Sequence, residues 1–384
     1  MKALSKNKLR EAAILSIALI TAGNSAISGI LVFMQKEFAL TREASEFVIP
    51  LSSIATIISI ALSESITRII GMKKCVQLGT ILVFISGIIP IIYTSYQTIL
   101  ISRIILGFGI GLFNGHSANY ISHLFEGEKA AFLHGMRSSM EYIGQMALLL
   151  IAGFFIKIKW PLAFLCYTFS IFVFLFFSKY VEDIRPEERK GRFFINKQVI
   201  FYIFFAGVMI MNITSLSIRF PTIATLQKGM DANINAYMII IPLSGMASGF
   251  AFGYINRFLK DATILFALLN YILANIIVAF WGSNMYVFMV AMLISAASWS
   301  IAAPYLFAEA MRFARGSQNR MINNLIFIGC NIGGFISPAF LFIVNKILGT
   351  ESLTQAFLGF SLIYLLLFLV YFYEYIKVNR KGII

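Results

Sequence analysis

Of the 384 residues, 59% are apolar and only 12% are charged, and the mean hydropathy is +0.84; a soluble domain could not bury that much apolar surface, whereas lipid accepts it directly. The formal charge of +14 is spread in short clusters between apolar stretches, which excludes a nucleic-acid-binding face and reads as a set of topology signals. Cys75, Cys166 and Cys330 are odd in number, far apart and inside or beside apolar stretches, so neither a disulfide nor a metal site is expected.

At the start of the chain, Lys2, Lys6, Lys8 and Arg10 precede an apolar run from Glu11 to Met34. That run outlasts the about 7 to 15 residues of a secretory signal core and more apolar stretches follow, so it is expected to be the first transmembrane helix. Stretches of about 20 apolar residues can cross a hydrocarbon core about 30 Å thick. They fall at residues 11–34, 46–67, 75–93, 97–122, 132–156 and 160–178, then at 198–222, 234–256, 262–281, 284–308, 320–345 and 353–376. The short links 93–97, 157–160 and 282–284 are where adjoining spans are most readily merged. With the amino terminus inside, 23 of the 31 Lys and Arg residues fall on the inner side and 6 on the outer, while Arg103 and Arg219 lie within spans. Basic loops mark the cytoplasmic side, so a multi-pass protein of the cytoplasmic (inner) membrane with both termini inside is expected.

The connection from Lys179 to Lys197 holds six basic and four acidic residues with Pro186 and Gly191. It divides a bundle of residues 1–178 from a bundle of residues 198–384. A shift of 185 residues lays MRSSMEYIGQ, from Met136, over MINNLIFIGC, from Met321, and Tyr120 over Tyr305. The fifth span thus falls on the eleventh, as a duplicated six-helix unit requires. The fold class expected is an all-α membrane protein with twelve transmembrane helices in two pseudosymmetric six-helix bundles.

In the fourth span, RIILGFGIG sets Arg103 ahead of Gly107, Gly109 and Gly111. Glycines at this spacing let neighbouring helices approach closely, and an intramembrane Arg needs a carboxylate or carbonyl partner. The stretch matches RxxxGxGxG, and with twelve spans the chain resembles the major facilitator superfamily, as an atypical member near the bacterial drug and proton antiporters. Between spans two and three the family's GxxxD(R/K)xGR(R/K) survives only as SESITRIIGMKK. Ser63 stands for the glycine and Thr67 for the aspartate, Arg68 is kept, and Gly71, Lys73 and Lys74 follow one residue late. The resemblance implies that this loop stabilises the outward-facing state. Glu64, one turn before Arg68, is the candidate for the missing carboxylate. GYINRFLK, with Gly253 and Arg257, is a fainter copy in the second half, and ordinary inner-loop charge is the alternative for both. The GPxxGG motif that similar drug and proton antiporters carry in span five is absent; the segment reads SSMEYIGQMALLLIAG, with Glu141 in its middle.

A carboxylate near mid-membrane costs several kcal/mol unless paired or protonated. Glu141, counted from Phe132, lies about 14 Å deep. Two roles fit it: a proton-coupling carboxylate modulated by Arg103 and substrate, or a fixed Arg103–Glu141 pair. Arg219, two residues before Pro221, is expected to snorkel to the outer interface, with an anionic-substrate contact or an outer gate as the alternative. The resemblance implies that spans one, four, seven and ten line a central cavity. The polar candidates for it are Asn24, Ser28, Asn114, His116, Asn119, Glu141, Asn212, Ser215, Arg219 and Trp299, with interhelical hydrogen bonding as the alternative role.

Neither HExxH, paired catalytic aspartates nor a Ser with a His or Lys partner occurs within the spans, so no enzyme and no cofactor is expected. The expected function is secondary transport of a small organic molecule by alternating access, as proton-coupled efflux. Proton-coupled import of a nutrient such as a sugar or nucleoside is the alternative. The expected partners are solute, protons and the lipid bilayer, with the chain a monomer.

Overall fold

The computed structural model describes residues 2–184, 196–230, 232–312 and 319–381. Residues 185–195 of the expected linker, and Arg315 of the basic count, lie outside the described residues. Twelve of the described helices are long and apolar enough to cross a membrane. Spans one to six are Asn7–Glu37, Arg42–Ile70, Met72–Ile92, Tyr96–Leu124, Gly127–Ile156 and Trp160–Tyr180. Spans seven to twelve are Lys197–Lys228, Ile234–Leu259, Thr263–Trp281, Met285–Arg312, Met321–Leu348 and Phe357–Lys377. The three short links are real turns. Twelve crossings return the chain to the face it started from, here called the terminal face.

Helices are the solution lipid imposes, because each backbone group then finds its partner within the span. Their ends are fixed locally. Thr41 Oγ1 accepts the Ala44 N–H at 3.2 Å to start span two, and Ser95 and Thr98 form a reciprocal capping box at the start of span four. Span two stops at Gly71, whose φ of +88° a side chain would strain. Span one is the exception. It is α-helical over Lys2–Ser16 and Ala18–Thr21, then breaks into short turns at Gly23–Ser25 and Ser28–Ile30 before resuming at Leu31–Glu37. Backbone irregularity at that depth is tolerated only where other protein groups satisfy it.

Glycine sets the closest approaches. A Cβ on Gly107 would stand 2.0 Å from Ser52 O, and one on Gly111 would stand 2.6 Å from Ser59 Cβ, both in span two. Gly109 faces span three, 2.7 Å from Gly79 O on the same measure. The closeness allows Thr56 Oγ1 to reach Gly107 O at 3.1 Å and Ser59 Oγ to reach Phe108 O at 2.7 Å. Gly107→Val should therefore push spans two and four apart and cost about 1–3 kcal/mol, read as a lower thermal midpoint in detergent; an unchanged midpoint would show that the contact can relax.

The duplication is visible in the packing. A Cβ on Gly144 would strike Leu19 O at 2.0 Å, so span five packs on span one there; one on Gly329 would lie 2.7 Å from Ile203 O, so span eleven packs on span seven. The 185-residue shift carries Gly144 onto Gly329 and Leu19 to within one residue of Ile203. Two pseudosymmetric six-helix bundles result.

Candidate functional site

Span five turns one face to lipid and the other to the protein interior. Ile143, Leu150 and Phe154 are exposed, whereas Arg137, Glu141, Gln145 and the buried Leu148 share the opposite face at helical spacing. On that inner face Arg137 Nη1 donates to Glu141 Oε1 at 2.6 Å, with side chains 13% and 28% exposed. One turn on, Gln145 Nε2 donates to Ser25 Oγ of the broken span-one segment at 3.2 Å. Beside them Tyr142 Oη and Ser300 Oγ lie 2.5 Å apart, joining span five to span ten across the bundles. The apolar run starts span five at residue 132, with Arg137 counted among the inner-side charges; the helix begins at Gly127, so Arg137 lies well inside it.

Arg103 and Glu141 are not partners, so the fixed pair expected between them does not form. Arg103 is fully buried and donates through Nη1 to Tyr167 Oη at 2.7 Å. Its Nη2 donates to Asn24 O at 2.5 Å, Ile49 O at 3.0 Å and Ser52 Oγ at 3.2 Å. Uncharged acceptors thus replace the carboxylate, and the guanidinium ties spans one, two, four and six together. Asn24 O belongs to the break in span one, where Tyr167 Oη also donates to Gly23 O at 3.0 Å.

Several expected cavity residues are bracing groups. Asn212 is fully buried and its Nδ2 donates to Asn275 Oδ1 of span nine at 2.6 Å, so it faces away from the bundle seam. Ser28 Oγ donates to Ser25 O at 2.9 Å, and Asn24 Oδ1 accepts from Ser52 Oγ at 3.1 Å. Trp299 is half-buried and packs against the core. Asn114, His116 and Asn119 do line a cleft, together with Ser63, Glu64, Thr67 and, from the other bundle, Asn324. It holds about 30 Å³, room for a water molecule or two and too small for an organic solute. In its wall His116 Nε2 and Thr67 Oγ1 lie 3.0 Å apart.

At the mouth of this cleft, Arg68 Nη2 donates to Glu64 Oε1 at 2.8 Å, as the one-turn spacing implies. The carboxylate that serves the loop itself comes from elsewhere: Asp183, at the end of span six, accepts the Lys73 N–H at 2.9 Å at the start of span three. A Cβ on Gly71 would collide with that same carboxylate. Arg257, in the corresponding loop of the second half, is exposed.

Arg219 does not snorkel. It is 2% exposed and its Nη1 lies 3.3 Å from Oε1 of Glu46, itself 3% exposed, so spans seven and two of opposite bundles share an ion pair. Sequence reasoning misses Glu46, because it stands at the very start of the expected span 46–67, close to the charged Arg42 and Glu43. Nearby, Asn235 Oδ1 accepts the Gly29 N–H at 2.9 Å while its Nδ2 donates to Ala26 O at 2.8 Å. Phe47 and Phe335 meet edge to face at 5.1 Å. These contacts shut the seam between the bundles toward the face opposite the chain ends.

The family model of the Major Facilitator Superfamily matches residues 13–338. No curated protein matches the sequence significantly. The fold is similar to the xylose transporter XylE from E. coli in its inward-open conformation, at 14% identity and a TM-score of 0.77, covering 96% of this chain and 95% of that one. A POT family transporter in complex with a thioalcohol-conjugated peptide gives 12% identity and a TM-score of 0.77, over 97% and 96% of the two chains. A D-xylose–proton symporter gives 15% and 0.70, over 94% and 96%.

Proposed function

This chain belongs to the major facilitator superfamily, and from that premise we propose that it couples proton movement to the efflux of a small organic solute. Its two bundles, divided between residues 179 and 197, rock about a central site, and the terminal face is cytoplasmic. The basic side of the chain supports that orientation. The coupling reading is carried by the Arg137–Glu141 pair on the interior face of span five, beside the broken span one and the Tyr142–Ser300 contact between bundles. In that reading Glu141 exchanges its proton with the cytoplasm while the outer seam is shut, the condition in which an exporter accepts cargo from that side.

Import is the second reading, favoured by the Asn, Thr and His lining of the inner cleft and by the similarity to a structure described as a D-xylose–proton symporter. Inverted membrane vesicles with an acidic lumen separate the two, using a panel of radiolabelled sugars, nucleosides and organic acids. Efflux in the cell appears there as solute accumulation that a protonophore abolishes; proton symport appears as faster release of preloaded solute. Flux indifferent to the pH gradient in both formats would remove proton coupling.

A further inference from the structure

Arg103 and Arg219 are equally buried, yet the protein treats them differently. Arg103 has four acceptors around its two terminal nitrogens. Arg219 has the Glu46 carboxylate at 3.3 Å, and both its Nε and its Nη1 are buried without a hydrogen-bond partner, as is Glu46 Oε1. One turn earlier on the same face of span seven, Ser215 Oγ is also buried and unpartnered. Arg103 Nε is unpartnered too, but both of its terminal nitrogens are bonded; Arg219 Nη1 has no hydrogen bond, so Arg219 is held by charge, with a terminal donor left over.

Its partner also sits on the other bundle. Any opening of the outer seam separates span two from span seven and strips Arg219 of Glu46. The nearest other charges, Arg42 and Glu43, pair with each other at 3.3 Å, so they supply no substitute. We infer that Arg219, with Ser215, binds a carboxylate group of the solute when the outer face opens, the solute taking the place Glu46 occupies in the shut state. A planar carboxylate fits the guanidinium fork and its single charge balances the single cation; a doubly charged phosphate would leave excess charge in the seam. The inference rests on the proposed alternating-access reading and narrows its solute to carboxylic acids.

Ser53→Cys provides a reporter. Ser53 is 7% exposed in the seam, with its Oγ 3.4 Å from where a Cβ on Gly334 of span eleven would stand, and the native Cys75, Cys166 and Cys330 are buried. In lipid nanodiscs without a pH gradient, labelling of the Ser53→Cys protein by a charged methanethiosulfonate is measured with benzoate or lactate and with benzamide or lactamide. The expected result is labelling about tenfold faster with a carboxylate, a mid-range coupling between sites, and no change with either amide. Arg219→Gln should abolish the response. Should that variant fold poorly, the doubly neutral Glu46→Gln, Arg219→Gln protein, which can keep an amide pair, must abolish it too. Equal effects of acid and amide, a response surviving neutralisation of Arg219, or no response to either acid overturns the assignment. Because no gradient is used, failure here is distinct from failure of proton coupling: flux can respond to pH while the labelling rate ignores carboxylates, or the reverse.

Discussion

Replacing Glu141 with Gln is expected to bring gradient-driven solute accumulation down to the equilibrium ratio while solute exchange without a gradient continues. The amide has nearly the shape of the carboxylate and can still accept from Arg137, but it cannot give up or take a proton. Loss of coupling therefore appears without loss of the site. Arg137 would be left as an uncompensated charge that is 13% exposed, so Arg137→Gln, Glu141→Gln serves as the neutral control for folding. Accumulation by Glu141→Gln at the wild-type level would make the pair structural and move coupling elsewhere. The position of the pair argues against that outcome. An i,i+4 pair on a lipid-opposed face of a span that also touches spans one and ten is placed where the two bundles meet.

Arg103→Ala should cost about 3–5 kcal/mol, the scale for stripping the partner from buried polar groups. Asn24 O and Ile49 O would lose their buried guanidinium donor, and Tyr167 Oη would lose its shortest contact. Arg103→Lys should recover only part of the loss, because one ammonium cannot replace a fork that spans three neighbouring helices. The readout is the thermal midpoint in detergent together with the pH dependence of transport by the protein that remains folded. A stable Arg103→Ala protein would contradict the clamp. A folded variant with an altered pH profile would return Arg103 to a coupling role.

Hydropathy alone is sufficient for the spans, because lipid imposes one condition on about twenty residues at a time and errors average out. The repeat is legible for a similar reason: Gly144 and Gly329 are each forced by a neighbouring backbone. Partner choice is not legible. Arg103 and Glu141 match as opposite charges at similar depth, but depth says nothing of azimuth, and Arg103 finds a carbonyl released by the break in span one. That break has no strong sequence mark beyond Gly23 and Gly29. Glu46 escapes notice because its role depends on a residue 173 positions away in the other bundle. Asn212 looks like a cavity group until Asn275 supplies its partner, again from a different span. Thr67 in place of the loop aspartate reads as a missing carboxylate for which Glu64 is the sequence candidate, whereas a carboxylate just past span six, Asp183, accepts the Lys73 N–H in that loop.

Asn235 bears on rate as much as on position. One side-chain amide holds a backbone donor and a backbone acceptor of the broken span, Gly29 N–H and Ala26 O, from the opposite bundle. Both bonds must break together before water is able to enter and replace them. If the bundles alternate as proposed, the loss of both bonds falls on the opening barrier and is largely made good once the seam is wet. Asn235 would then set how long each closed interval lasts while shifting the balance between shut and open states far less.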